Sequence, residues 1–461
     1  MYRFLRLIFL TPVFLLTISL EKWGKRWFLL RFPRKPAEIL KNQQQFFEML
    51  KNYAQQRTVD LSADQITKLS SGLFPLDSKL LEIHPLAKII NEPDKNKLAG
   101  SFEIVYQTGE IVHSLPIFVK FQCGRGLPLY LQAIRAAVEL GIAREIDFYR
   151  YLAGQIDLRT PRPYYANSIH QFNRVCLVLE YIEGFNPADW RSCPLIGIKA
   201  ILYSVARMNA AFLGRTSTDP RTAWIPARKG LDYASFIGDF IRQEPVWYRT
   251  IWSALVNYFQ DKPVTLVHGD CRPGNMLFVD DGKLASQIGT DSNDKLSVWP
   301  DDQTPLPEVV FTDWEAINVA PLFWDFTYCT IIGMTVADRR IYRSRLLDEF
   351  KAALQAAGVP AELCQDETIP IQVNLLALVL GFLSFVIIKN GFWDRQGNTA
   401  EDAIAWRERV VSAVVELDTK AIADILKIPE EAIVQLQNQW SQELSDYLNS
   451  LPKSDRSIHN V

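Results

Sequence analysis

Asp270 and Asn275 stand with four residues between them in the run Leu266-Val267-His268-Gly269-Asp270-Cys271-Arg272-Pro273-Gly274-Asn275-Met276-Leu277-Phe278. Phosphoryl transfer uses this spacing. The aspartate accepts the proton of the attacking hydroxyl, and an asparagine four intervening residues later holds Mg²⁺. Val264 to Val267 read as a short buried strand entering the loop and Met276 to Val279 as a strand leaving it, so the polar residues fall on a turn that can expose a carboxylate. A second acid, Asp313, ends the apolar run Val309-Val310-Phe311-Thr312. A hard cation needs oxygen ligands, and the Asp313 carboxylate with the Asn275 amide carbonyl would supply them.

Such a loop needs elements that hold a nucleotide. Leu115-Pro116-Ile117-Phe118-Val119-Lys120-Phe121 is an apolar strand carrying one lysine. Lys120 is a candidate for neutralising α/β-phosphates, or else an ordinary strand-end lysine in solvent. The run from Leu129 to Leu152 has helical periodicity with Glu145, Phe148, Tyr149 and Leu152 on one face, which makes Glu145 the candidate ion-pair partner of Lys120. Glu139, just before Gly141, is the second candidate. A flexible turn is expected before Lys120, and Leu98 to Tyr106 fits it best, with Gly100 and Ser101 as phosphate contacts. That run holds a single glycine. Val175 to Gly184 reads as a buried strand ending in an acidic turn.

The His-Gly-Asp loop ending in Asn275, followed by Asp313, resembles the aminoglycoside phosphotransferase and choline kinase-like superfamily. Small-molecule kinases related to ecdysteroid kinases look similar. The resemblance implies an α+β, protein-kinase-like fold of two lobes, a β-sheet N-lobe and a mostly helical C-lobe. It implies transfer of the γ-phosphoryl group of ATP, with Mg²⁺, to a hydroxyl of a small molecule. Under it Asp270 is the catalytic base, and His268 orients the loop through hydrogen bonds to its backbone. The family's Arg-Glu-x-x-x-Tyr pattern is met by Arg144, Glu145 and Tyr149, which favours Glu145. Glu180 to Ile182 resemble the linker where adenine pairs with backbone groups, and Asp325 resembles the family's helix-starting aspartate after the metal-binding acid, with a structural capping role near the catalytic loop. Arg272 occupies a position where relatives vary, and either meets phosphate or faces solvent.

Two other readings are a nucleotide-binding pseudokinase that scaffolds at a membrane and an atypical protein kinase. Intact Lys120, Asp270, Asn275 and Asp313 argue against the first. No recognisable peptide-binding activation segment follows Asp313, which argues against the second. One departure from the family is the long polar segment Asp280 to Glu308, read as an exposed insertion, dispensable for folding, in the hairpin between the metal-binding residues. Its acids between Asp291 and Asp302 could mimic metal ligands.

A chain of 461 residues, 48% hydrophobic, can bury two lobes plus extensions, and a net charge of −2 gives no electrostatic case for nucleic acid. The six cysteines are scattered without metal spacing, so a reducing compartment is the simpler assumption. Cys271 lies in the loop, but its neighbours explain the loop without it. From Leu7 to Leu20 the chain is almost wholly apolar, and Trp23, Trp27 and a basic cluster follow. No small-residue cleavage site follows Leu20, so membrane attachment by residues 1–35, with the kinase domain cytoplasmic, is preferred to a secretory signal. A membrane surface as partner suggests a lipid-like acceptor, or one generated there. Residues 36–87 read as a helical extension, 88–183 as the N-lobe and 184–461 as the C-lobe. Val373 to Ile388 is apolar enough for a second span, but within a C-lobe it reads as a buried core helix.

Overall fold

In β4 (Ile111–Cys123) side chains alternate between faces, so Ile117 and Val119 are buried on one side while Phe118 and Lys120 point to the other. The computed structural model describes residues 78–86, 90–92, 97–123, 142–169, 174–187, 193–225, 231, 237–238, 240–279, 299–301, 303–389 and 400–450. Two units make up the chain. The first includes residues up to Ala153 and Pro161–Ile182, and the second consists of Gly154–Thr160 and everything from Glu183.

The first unit is built on an antiparallel sheet. β1 (Ser78–Pro85), β3 (Lys97–Thr108), β4, β6 (Arg174–Glu180) and β5 (Pro163–Ile169) lie in the order β1-β3-β4-β6-β5, and the short β2 (Ile90–Glu92) pairs with β3. The turn joining β3 to β4 is at Gly109, whose φ of 59° suits a residue without Cβ. Helix α1 (Ile142–Tyr151) packs on β5 and β6 and buries Ile146 and Phe148. Two expectations change here. Residues 78–85, assigned to the helical extension, form an edge strand, because Leu80 and Ile83 find a place in register with β3 opposite Tyr106 and Ile104. Leu98 to Tyr106, taken for a flexible turn, lies inside β3, with Gly100 opposite Val119 and Ser101 opposite Phe118. The rest of the proposed extension and residues 1–35 lie outside the described residues.

The second unit is mostly helical. α2 (Leu195–Phe212), α3 (Val246–Phe259), α4 (Trp324–Gly333), α5 (Val336–Ala356) and α6 (Ala361–Cys364) are followed by α7 (Ile369–Lys389), α8 (Ala400–Val415), α9 (Thr419–Leu426) and α10 (Glu430–Ser450). Two two-stranded sheets sit among them. β7 (Val264–Val267) pairs with β10 (Asn318–Pro321), and β8 (Met276–Val279) with β9 (Glu308–Phe311). α2 and α7 are each long and apolar enough to cross a membrane, but most of their residues are buried within this unit. α7 carries Leu375, Leu376, Leu378, Val379 and Phe382 into the core, which accounts for its all-round apolarity.

One residue of the long insertion packs on the helices. Trp299 lies under the Arg345 guanidinium at 3.8 Å, near Lys199 at 4.8 Å and against the Tyr342 ring at 5.6 Å. The segment is therefore not exposed throughout, because one aromatic ring is enough to tie a polar loop to α2 and α5. Trp299→Ala should lower the thermal midpoint by about 3–6 °C, the size expected for two cation–π contacts and a ring contact. Removing residues 282–296 while keeping Trp299 should change it by no more than about 1 °C. Differential scanning calorimetry of the two variants checks both values.

Candidate active site

Lys120 and Glu145 form a buried pair. Lys120 Nζ donates to Glu145 Oε2 at 2.8 Å, with the side chains 12% and 3% exposed. The pairing has a simple local origin. Lys120 leaves β4 on the face opposite Ile117 and Val119, and Glu145 is in the first turn of α1. Glu139, the other candidate, lies outside the described residues. Gly100 and Ser101 are buried strand residues, so neither lies in a loop free to wrap phosphate.

Glu180 ends β6. Its N–H donates to the Arg162 carbonyl at 2.8 Å, and its carboxylate accepts from the Arg162 N–H at 2.9 Å. Its backbone donor is therefore spent within the sheet and cannot meet a base. Ile182 is the last residue of the first unit before the chain passes into the second.

The second unit holds the loop between β7 and β8. Gly269 has φ of 86°, and a Cβ there would meet the Ala316 carbonyl oxygen at 2.0 Å, so only glycine fits before Asp270. The loop backbone is held from below by Asp325, in the first turn of α4. Asp325 Oδ2 accepts from the His268 N–H at 2.9 Å and Oδ1 from the Gly269 N–H at 3.1 Å. Burial pushes this carboxyl up to about 7, while the two N–H donors pull the other way. Asp325 does not cap its own helix, as the sequence had suggested, but ties the loop to it.

His268 is fully buried, with its ring 4.5 Å from that of Trp314 and Nε2 2.9 Å from the Thr312 carbonyl. Burial pulls its pKa down to about 4, so near neutrality the ring is uncharged and Nε2 donates to that carbonyl. His268 thus ties the loop to the strand end that carries Asp313.

Asp270 Oδ2 accepts from Asn275 Nδ2 at 2.8 Å and from Arg272 Nε at 3.2 Å. Arg272 is thereby turned onto the aspartate. Tyr328, buried on α4, is a further hydrogen-bond donor to this carboxylate. Burial pushes the carboxyl up to about 6, hydrogen bonds from Tyr328 and Asn275 pull it back, and the charges of Asp313 and Glu315 add to the push. Cys271 is buried, and burial raises its thiol well above the ordinary range, which removes it as a nucleophile.

The hairpin brings the two proposed metal ligands together. Met276 lies opposite Phe311, and the Asn275 carbonyl accepts from the Thr312 N–H at 3.0 Å and from its hydroxyl at 2.7 Å. Asp313 follows at once in a left-handed conformation, φ 57° and ψ 60°, which is costly for a residue other than glycine. Because Asn275 Nδ2 is bonded to Asp270, its Oδ1 is the atom suited to a cation. The donor set fits Mg²⁺, since an amide oxygen and a carboxylate are hard ligands, and three carboxylates close enough to perturb one another favour a divalent cation. Glu315 is the residue here that sequence reasoning did not single out. Its only signal is its position two residues after Asp313.

Residues 120–286 match the model of a phosphotransferase enzyme family. That stretch holds Lys120, Glu145, Asp270 and Asn275 and stops before Asp313. No curated protein matches the sequence. Among solved structures, the chain is similar to aminoglycoside 2'-phosphotransferase-IIIa in its GDP complex, at 11% identity and a TM-score of 0.42 over 76% of this chain and 97% of that one. It is also similar to an amicoumacin kinase solved with AMP-PNP and Ca²⁺, at 14% identity and a TM-score of 0.41 over 76% and 92%. A choline/ethanolamine kinase family protein from Mesorhizobium loti matches at 13% identity and a TM-score of 0.38 over 80% and 97%. The resemblance read from the His-Gly-Asp loop thus reappears in the family match, and the sheet-bearing and helical units agree with the α+β, kinase-like fold class expected from it.

Proposed function

We propose that this chain, which resembles the phosphotransferase enzyme family over residues 120–286, transfers the γ-phosphoryl group of ATP to a hydroxyl of a small molecule. The observation that carries the reading is Asp270. Its carboxylate is fixed at the loop by hydrogen bonds from Asn275, Arg272 and Tyr328, and burial raises it to about 6, the range in which a base can take a hydroxyl proton near neutral pH. Lys120, held by Glu145, neutralises the α/β-phosphates. Asn275 Oδ1 and the Asp313 carboxylate hold Mg²⁺, which when bound offsets the charge of the phosphates. His268 and Asp325 touch no substrate and hold the loop in place. At the end of the first unit, the backbone of Ile182 is the better candidate for adenine, the Glu180 N–H being occupied.

The direct test incubates the purified chain with γ-labelled ATP and a library of hydroxyl compounds that includes membrane lipids. Label transfer to one class names the acceptor, and label released only as water-dependent phosphate in every case would oppose the reading. Asp313→Ala should raise the Mg²⁺ concentration needed for nucleotide binding by at least about tenfold. An unchanged Mg²⁺ titration removes Asp313 from the metal site.

Residues 1–35 are proposed to attach the protein to a membrane, with the catalytic units on the cytoplasmic side. This rests on the apolar run and the aromatic and basic residues after it. The full chain should pellet with membranes and stay there in a high-salt wash, because salt screens the basic cluster but not apolar burial. Release into the soluble fraction at low salt would end the idea.

A further inference from the structure

Phe185 and Phe278, both in the second unit, exchange two backbone hydrogen bonds. The Phe185 N–H donates to the Phe278 carbonyl at 2.9 Å, and the Phe278 N–H to the Phe185 carbonyl at 2.8 Å. Such a pair opens an antiparallel ladder, whose next bond would run from the N–H of residue 187 to the carbonyl of Met276. Residue 187 is a proline, which has no N–H to give. The ladder accordingly stops after this one bridge.

The side chain of Asn186 supplies the missing donor. Its Nδ2 donates to the Met276 carbonyl at 2.8 Å and to the Gly274 carbonyl at 2.8 Å, which uses both amide hydrogens. These two carbonyls flank Asn275. The Asn275 N–H in turn donates to the Arg272 carbonyl at 2.9 Å, and the Asn275 carbonyl accepts from Thr312. Asn186 thus fixes the backbone on both sides of the residue whose Oδ1 is suited to a cation. Holding the fold does not require it, since Asn186 is exposed and the Phe185–Phe278 bridge and the β8–β9 pairing stand without it.

We infer that Asn186 is a positioning residue for Asn275, its amide replacing the N–H that Pro187 lacks and so holding the Asn275 side-chain oxygen where Mg²⁺ would be bound. It acts through Asn275, and the inference rests on the reading of Asn275 as a metal ligand. Supporting partners of this kind matter because a ligand oxygen displaced by a few tenths of an ångström no longer meets the short, near-octahedral distances that Mg²⁺ demands.

Titrating Mg²⁺ into the full chain in the presence of a fluorescent ATP analogue tests it. Asn186→Ala should raise the Mg²⁺ concentration at half-saturation about tenfold, the size expected for a residue that orients a metal ligand. Asn186→Asp, which turns a carboxylate toward two carbonyl oxygens, should raise it by at least as much. Analogue affinity at saturating Mg²⁺ should stay within about twofold of wild type, a split that general loosening of the structure would not give. Adding Pro187→Ala to Asn186→Ala restores a backbone N–H opposite Met276 and should bring half-saturation back to within about threefold of wild type. An unchanged Mg²⁺ titration in both single variants overturns the inference, and so does a double variant no better than Asn186→Ala. A loss of analogue affinity that saturating Mg²⁺ does not restore also overturns it, because the role would then be structural. Asp313→Ala, titrated alongside, separates the two readings. If Asp313→Ala shifts the titration and the Asn186 variants do not, Asn186 alone is wrongly assigned; if neither shifts it, the metal site itself falls and this inference with it.

Discussion

Asp270→Ala should lower turnover by roughly 10²–10⁴-fold, the usual contribution of a positioned acid or base. Nucleotide affinity should stay within about twofold of wild type, because the side chain acts on the acceptor hydroxyl and not on ATP. The loop should survive the change. Asn275 Nδ2 loses Asp270 Oδ2 but keeps the Asp270 carbonyl at 3.0 Å, and the Gly269 N–H keeps Asp325. Single-turnover measurements with labelled ATP, beside fluorescence titration of a nucleotide analogue, separate chemistry from binding. Retention of more than about a tenth of wild-type turnover would remove Asp270 as the base.

Asp325→Asn should cost about 3–5 kcal/mol of stability, in spite of nearly unchanged volume. The two backbone donors, His268 N–H and Gly269 N–H, each take one carboxylate oxygen. An asparagine offers one oxygen and sets its NH₂ against the other N–H, so one buried donor is left facing a donor. In a unit of this size, that loss corresponds to a fall in thermal midpoint of roughly 10 °C or more. Activity should fall as well, since His268 and Asp270 leave their positions when the loop backbone moves. A midpoint within about 2 °C of wild type would show that the loop is held by its other contacts, such as the Trp324 Nε1 bond to the Gly269 carbonyl at 3.2 Å.

Local pattern was enough to single out the residues that could do chemistry. The spacing of Asp270 and Asn275, the acid after Phe311 and the lysine in an apolar strand are statements about neighbours in the chain, and neighbours in the chain stay neighbours in the fold. Helix α7 was legible as a core helix for the same reason, since its apolarity runs all round. The pairing of Lys120 with Glu145 was also reachable, because helical periodicity put Glu145 on the face that carries Phe148.

Other features depend on partners far away in the chain, and no local pattern encodes them. Leu98 to Tyr106 has a glycine and a serine that suit a turn, yet β2 and β1 pair with it from one side and β4 from the other and hold it extended. Ser78 to Pro85 became a strand because an edge of that sheet was open to it. Trp299, a single aromatic in a polar stretch, found two cations and a tyrosine on α2 and α5. Asp325 looked like a cap for the helix it begins, but its two oxygens face the backbone N–H groups of His268 and Gly269, more than fifty residues earlier. By itself the sequence determined which side chains are available for phosphoryl transfer and in what order they come. Tertiary structure decided which of their atoms are already bonded and which are left for a substrate, because a donor or acceptor is used up by whatever packing brings within about 3 Å of it.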